Sequence, residues 1–200
     1  MWPFKKRNQS PLQNLQAAKW AEREMQRQMK IGRKDPTPEE LFTGFMFSVT
    51  RFSEGETETS EAVLFELGCF SLSAIDIWIF QNKPASRESV FDHLMYRFVE
   101  LYSHIFQTDF EEIGSVLEQR LSIYGEIYGS VGMDIEKMIK ALIQVMLFSQ
   151  TKEKPCLYER EALNLDYIEN FLMHMKISSW LKHCYPIILN CVKEVCNAQE

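Results

Sequence analysis

The chain has little glycine and proline, with 8 and 7 residues in a length of 200. Both residues interrupt regular structure, so their scarcity argues against long irregular stretches, and an apolar content of 46% argues against a disordered chain. The five cysteines are an odd number and form no C-x-x-C pair, which argues against a disulfide framework. We therefore expect a chain that folds in a reducing, cytoplasmic compartment.

Motifs for catalysis are also missing from the sequence. It has no Glu-x-x-His pair of the kind that di-iron helical bundles use, no Gly-x-Ser-x-Gly and no phosphate-binding glycine loop. We therefore assign no catalytic residue, no cofactor and no metal from the sequence. This leaves a non-catalytic protein as the main interpretation and a helical enzyme as the alternative.

No targeting or membrane-spanning segment is predicted. The basic start, MWPFKKR, is followed by polar residues and not by the apolar run of a signal peptide. Because no acidic residue precedes Glu22, a mitochondrial-type transit peptide remains an alternative. The most apolar stretch, residues 67–80, contains Asp76 and is shorter than the roughly 20 apolar residues that span a bilayer, so we predict a core helix there.

The sequence does contain a strong separation of charge. Residues 1–34 carry a net charge of +7, and because the whole chain carries −6, the remainder carries −13. We interpret residues 1–35 as a basic arm with a helix over about 12–31. Aromatic rings beside cations favour an anionic membrane surface, at about 1 kcal/mol for each cation. The predicted contact residues are Trp2, Phe4, Lys5, Lys6, Arg7 and Trp20.

The remaining residues, 36–200, are predicted to form a single all-α domain, a helical bundle of about six to eight helices. Apolar residues recur at helical spacing along this part, and no strand pattern persists. The segment 60–81 is apolar nearly all the way round, which predicts a central helix surrounded by neighbours. The other helices are expected at 38–53, about 91–105, 108 to the glycines at 125, 129 and 132, 134–150, 156–162, 166–183 and 186–196.

Two capping boxes mark helix starts in this domain. Thr37 and Glu40 flank Pro38, and Thr108 and Glu111 have the same three-residue spacing. In such a box the threonine oxygen accepts a backbone hydrogen bond and the glutamate returns one. Helices are therefore predicted to begin just after Thr37 and just after Thr108.

A narrow polar line runs along the predicted central helix, formed by Glu66, Cys69, Ser73 and Asp76. Buried carboxylates have raised pKa values and can serve ligand recognition or acid–base chemistry. Glu66 and Asp76 are therefore the candidate residues of an internal pocket. The interpretation we favour is a strip that faces solvent or forms hydrogen bonds to neighbouring helices.

Two groups of residues resemble metal ligands in type but not in arrangement. Glu100 and His104 share a helix face with Arg97 and His93, which favours a solvated face with intrahelical ion pairs. His183 and three nearby cysteines match no common zinc spacing, and we interpret the thiols as small apolar side chains. These cysteines are Cys184, Cys191 and Cys196.

Together these observations predict a cytoplasmic, non-catalytic interaction or adaptor protein, peripheral to a membrane when its arm binds there. The acidic body would bind a partner protein, and the arm would contact that partner or an anionic membrane. Homodimerisation and a tail that only aids solubility are alternatives, and the negative body argues against nucleic acid as a partner. The competing function is an enzyme or small-ligand binder with a pocket near Asp76 and Glu66.

Overall fold

The structure, a computed structural model, describes residues 37–53, 59–131, 135–158 and 171–198. Within these ranges the regular structure is helical, without β-strands, so the all-α fold class is confirmed. The helix count of the whole body, its domain boundary and the helical arm stay predictions. The described α-helices are α1 (Pro38–Thr50), α2 (Glu61–Asn82), α3 (Asp92–Phe106), α4 (Phe110–Val131), α5 (Ile135–Gln150), α6 (Phe171–His183) and α7 (Tyr185–Ala198).

Helix α1 begins with the predicted capping box. The Thr37 hydroxyl accepts a hydrogen bond from the Glu40 N–H at 3.2 Å, and the Glu40 carboxylate accepts one from the Thr37 N–H at 2.8 Å. Pro38 occupies the first helical position, where its missing N–H costs no intrahelical bond. The α-helix ends at Thr50, and a 3₁₀ turn over Arg51–Ser53 completes the segment predicted as one helix.

Helix α2 is the central element, in agreement with its sequence pattern. Ser60 caps its start by accepting a hydrogen bond from the Val63 N–H. It packs most extensively against α4 and α5, and it also contacts α1, α3 and α7. Among the described residues, α2 is the one helix whose length and composition would allow it to cross a membrane, and 72% of its most apolar window is buried inside the protein. This burial agrees with the predicted core helix.

An aromatic cluster fills the space between α2 and α3. The Phe65 ring lies 5.3 Å from Phe98 and 5.1 Å from Tyr102, centroid to centroid. Gly68 permits this approach, because a Cβ atom there would lie 2.4 Å from the Phe98 ring. The contact between α2 and α3 thus depends on a missing side chain.

The junction of α3 and α4 differs from the predicted capping box. Helix α4 begins at Phe110, and the Thr108 hydroxyl donates to the Phe106 carbonyl at 3.2 Å. Thr108 therefore serves the end of α3, where Gln107 adopts a left-handed φ of 51°. The prediction of a cap at Thr108 was wrong, because one left-handed residue ends α3 and shifts the next helix start. The two helices do pack against each other, as their short connection indicated.

Helix α4 continues through Gly125 and Gly129, contrary to the sequence-based expectation, and Gly132 lies outside the described residues. The helix passes through Gly125 to Val131. A helix-interior glycine costs only about 1 kcal/mol, whereas the neighbouring Tyr124 and Ile127 are buried in the core. Tertiary burial of these side chains outweighs the weak helix propensity.

The C-terminal third also departs in part from prediction. Residues 156–158 are not helical, and the rest of the helix predicted at 156–162 lies outside the described residues. Described helix α6 covers the later part of the predicted 166–183 helix. A break at Cys184 separates it from α7, with Pro186 in the first turn of α7.

Candidate functional site

A buried charged cluster joins α2, α4 and α5. We define it by Glu66, Arg120 and Ser149, all of which are 0% or 1% exposed. The Arg120 guanidinium donates to both carboxylate oxygens of Glu66, through Nε at 2.8 Å and Nη2 at 3.0 Å. The Ser149 hydroxyl donates to Glu66 Oε1 at 2.6 Å. Each of the three helices therefore contributes one side chain to this cluster.

The cluster extends to the non-helical segment after α5. Arg120 Nη2 donates to the Cys156 carbonyl at 2.9 Å, and Arg120 Nη1 donates to Gln119 Oε1 at 2.6 Å. Gln119 in turn accepts from the Tyr158 N–H at 2.7 Å and donates to its carbonyl at 2.9 Å. Residues 119 and 120 thus hold residues 156–158 against α4.

The pKa shifts of these buried groups indicate that the cluster stabilises the fold. Burial raises the pKa of the Glu66 carboxyl, and the bonds from Arg120 and Ser149 offset part of that effect. Burial also raises the pKa values of the nearby Cys69 thiol and Tyr124 phenol, so neither is an activated nucleophile. Since the ion pair is closed to solvent and internally bonded, it cannot reach a dissolved substrate.

The two predicted pocket carboxylates lie in different surroundings. Asp76 has a side chain that is 28% exposed and accepts a hydrogen bond from Arg87 Nε at 2.8 Å. Glu66 instead pairs with Arg120 in the interior. The structure does not bring these two acids together, and a ligand pocket at them stays a prediction.

Sequence reasoning missed Arg120, although a signal was present. Ile113, Leu117 and Tyr124 recur at helical spacing along α4, and Arg120 lies three positions after Leu117 and four before Tyr124. A charged residue on an apolar helical face needs a buried partner. Glu66, on the apolar central helix, was the complementary charge.

The metal-like groups make other contacts. Glu39 of α1 pairs with Arg97 at 3.0 Å and lies 3.4 Å from His93, while Arg97 also pairs with Glu100 within α3. The described residues contain no group of three or more His, Cys, Asp or Glu side chains placed to hold a metal. Cys184 and Cys196 are buried and form no disulfide bond within the described residues, and burial raises the pKa of Cys191 to about 11.

An apolar groove of about 440 Å³ is the best-formed candidate binding site. It lies at the C-terminal half of α2, partly open to solvent, with walls from α4, α5, α6 and α7. Neither Glu66 nor Asp76 lines it. From α2 the groove is lined by Phe70, Ala74, Ile77, Trp78 and Gln81, and from the other helices by Tyr128, Met138, Ile139, Ser178, Leu181, Lys182, Tyr185 and Leu189.

Helical periodicity explains how these walls form. The α2 residues follow each other by four, three, one and three positions, so they lie along one face of the helix. On α7, Tyr185 and Leu189 are four apart, and Lys193 continues the same line with its Nζ 5.9 Å from the centre of the Trp78 ring. The sequence pattern had indicated these apolar faces, but not that they meet around an unfilled space.

The polar groups in the groove are all able to donate hydrogen bonds. They belong to Gln81, Tyr128, Ser178, Lys182 and Tyr185, and the lining includes no carboxylate. Burial raises the pKa of the Tyr185 phenol, with a smaller effect from Tyr128, so Tyr185 keeps its proton at neutral pH. The exposed Lys182 forms no ion pair within the described residues.

A second cavity, of about 590 Å³, adjoins α6 and is more polar. Its side chains serve contacts within the protein. Lys176 Nζ lies 4.2 Å from the centre of the Phe52 ring, and the Trp180 indole donates to the Ser48 carbonyl at 2.7 Å. The apolar groove, whose polar groups are not used in this way, is therefore the candidate site.

The described residues form an all-helical fold with one apolar groove whose polar groups can donate hydrogen bonds. Comparisons with family models, with curated proteins and with solved structures found no match. The predicted arm contacts, Trp2, Phe4, Lys5, Lys6, Arg7 and Trp20, lie outside the described residues.

Proposed function

We propose that this chain is a non-catalytic helical binding protein and that the apolar groove is its binding element. The observation that carries the proposal is a cleft of about 440 Å³ at the surface end of the central helix. Ligand sites typically occupy about 300–1,000 Å³ and combine an apolar lining with a few polar groups. The groove has both properties.

Binding is favoured over catalysis by the chemistry of the lining. General acid–base catalysis most often uses a histidine or a carboxylate, and a serine, lysine or tyrosine nucleophile needs an adjacent base or a lowered pKa. The groove's lining contains no histidine and no carboxylate, and burial raises the pKa of its Tyr185. The buried charged cluster, which does contain a carboxylate, is closed to solvent.

A polarity-sensitive neutral dye, N-phenyl-1-naphthylamine, tests the proposal in the full chain. We expect its fluorescence to rise on binding and the rise to be lost in Ala74→Trp, because the indole would fill the groove. Ser115→Trp is the matched control, since Ser115 is exposed on α4 and does not line the groove. Equal dye binding by wild type and Ala74→Trp would contradict the groove as binding element.

A second candidate function is the adaptor predicted from the sequence, in which a partner protein covers the groove. Exposed apolar side chains favour it: Phe80 is 70%, Leu172 79% and Met175 54% exposed. Met175 precedes Ser178 by three positions and Lys182 by seven, so it extends the α6 wall of the groove. Large exposed apolar side chains beside a groove are typical of interaction surfaces.

In this second function the domain 36–200 is one bundle of six to eight helices, and the basic arm adds a contact to the partner or to an anionic membrane. The setting proposed for both is the cytoplasm, with homodimerisation as one form of partnership. Replacing Lys5, Lys6 and Arg7 by Gln in the full chain should abolish sedimentation with anionic vesicles at low salt. Unchanged sedimentation would remove the membrane role of the arm.

A further inference from the structure

We infer that the groove binds a single-chain anionic amphiphile, with the apolar chain along α2 and the anionic group near Lys182. This inference rests on the proposed function and names its ligand class. The shared chemistry is an alkyl chain with a carboxylate or a phosphate at one end. It includes both free fatty acids and single-chain phosphate esters.

The shape of the groove supports an extended apolar chain. Its α2 wall runs from Phe70 to Gln81. At 1.5 Å per residue these eleven steps cover about 16 Å, which matches an extended chain of about twelve carbons. The intervening α2 contacts are apolar, namely Ala74, Ile77 and Trp78, so a chain along this wall would replace water by apolar contact.

The polar groups of the groove support an anionic end. Every one of them can donate a hydrogen bond, Lys182 can only donate, and none carries a negative charge that would repel an anion. Lys182 carries the one formal charge among the lining residues and forms no ion pair within the described part of the chain.

The charge of the groove lining differs in sign from that of the surrounding chain. Residues 35–200 carry a net charge of −13, yet the groove's lining contains a lysine and no carboxylate. A site for cationic ligands would gain from an acidic residue in its walls, and none lines the groove. Because the net negative charge of residues 35–200 repels anions, a site that binds an anion needs a locally positive lining.

The inference is tested by titration calorimetry of the full chain with four twelve-carbon probes, each kept below its micelle concentration. The probes are dodecanoate, dodecyl phosphate, dodecanol and dodecyltrimethylammonium. We expect one or both anions to bind more tightly than the alcohol and the cation. Octanoate should bind more weakly than dodecanoate, by about fourfold for each methylene removed.

Variants locate the two ends of the ligand. Lys182→Gln should weaken binding of the anions about tenfold and leave dodecanol unchanged, because one charge-assisted bond is lost. Lys152→Gln removes the same charge from an exposed position in the segment after α5, and binding should not change. A dodecanoate brominated at the chain end should quench Trp78 fluorescence, and Trp78→Phe should remove that quenched component.

The outcomes separate this inference from the proposed function. If dodecanol and the cation bind as tightly as the anions, or if Lys182→Gln weakens all probes equally, the anionic ligand class is overturned while the groove remains a binding site. If no probe and no neutral dye responds to Ala74→Trp, both fail. Binding to phosphatidylglycerol vesicles without binding of monomeric anions would overturn the inference in favour of a membrane surface.

Discussion

The two halves of helix α2 have a similar content of apolar residues, but the first half is buried and the second half is partly exposed to solvent. Every residue from Ala62 to Ser73 is buried, and this half includes Glu66 with all its bonds to Arg120 and Ser149. From Ala74 onward the helix is partly exposed, up to 70% at Phe80. The first half therefore stabilises the fold, whereas the second half leaves apolar surface available for binding. Hydrophobicity alone does not distinguish these two roles.

The largest expected effect comes from breaking the buried charged cluster. Arg120→Met should lower the free energy of unfolding by about 3–5 kcal/mol, because it leaves Glu66 buried without its cation. The double variant Glu66→Leu, Arg120→Met removes both charges and should recover most of that loss. Urea denaturation of the wild type and the two variants measures these differences.

The pH dependence of the stability of Arg120→Met tests whether the unpaired Glu66 carboxylate causes the loss. Burial raises the pKa of Glu66 above its unfolded value, and removal of Arg120 would raise it further. The folded variant would then hold a proton that the unfolded chain releases, so its stability should fall as pH rises above the unfolded pKa of about 4.5. The deficit relative to wild type should be smaller at pH 5 than at pH 8. A deficit independent of pH would contradict this account.

A medium effect is expected at the close contact of α2 with α3. Gly68→Ala places a Cβ atom 2.4 Å from the ring of Phe98, which is fully buried and packs against the rings of Phe45, Phe65 and Tyr102. We expect a loss of about 1–3 kcal/mol in unfolding free energy from this overpacking. Thermal denaturation followed by circular dichroism would measure it.

Gly114→Ala is the matched control for that substitution. A Cβ atom at Gly114 would meet nothing within 4 Å, and the residue lies within helix α4. Alanine should therefore stabilise the protein by about 0.5–1 kcal/mol through helix propensity alone. If both glycine variants were equally stable, the close contact would not limit the packing of α2.

The smallest effect is expected in the exposed half of α2. Asp76→Asn removes an ion pair with Arg87 in which the two side chains are 28% and 46% exposed. Such pairs contribute less than about 1 kcal/mol, and salt screens them. We expect a small loss at low salt that disappears at high salt. A loss of unfolding free energy as large as that of Arg120→Met would contradict the conclusion that only the first half of α2 stabilises the fold.

Local signals predicted the elements that depend on neighbouring residues. The start of α1 follows from Thr37, Pro38 and Glu40 within four positions, and the central place of α2 follows from apolar residues on all its faces. The same kind of reasoning failed at Thr108 and at Gly125. At those positions a left-handed residue and the burial of neighbouring side chains outweighed weak local preferences.

The candidate site depended on contacts that no local pattern contains. Glu66 and Arg120 are 54 positions apart, and the sequence treated them separately because pairing requires knowledge of which helices meet. The groove combines residues 70–81 with residues 178–189. Each wall is an ordinary apolar helix face, and only their relative placement creates a space between them.

By itself, the sequence determined the all-helical architecture of the described residues, the starts of several helices and the separation of a basic N-terminal segment from an acidic remainder. These properties depend on composition, on capping residues and on periodicity over a few turns. Only the tertiary structure decided that Glu66 is paired in the interior, that Asp76 lies near the surface, and that the apolar face from Phe70 to Gln81 remains partly uncovered. Burial is fixed by helices distant in sequence, so the same apolar pattern can fill a core or form a groove.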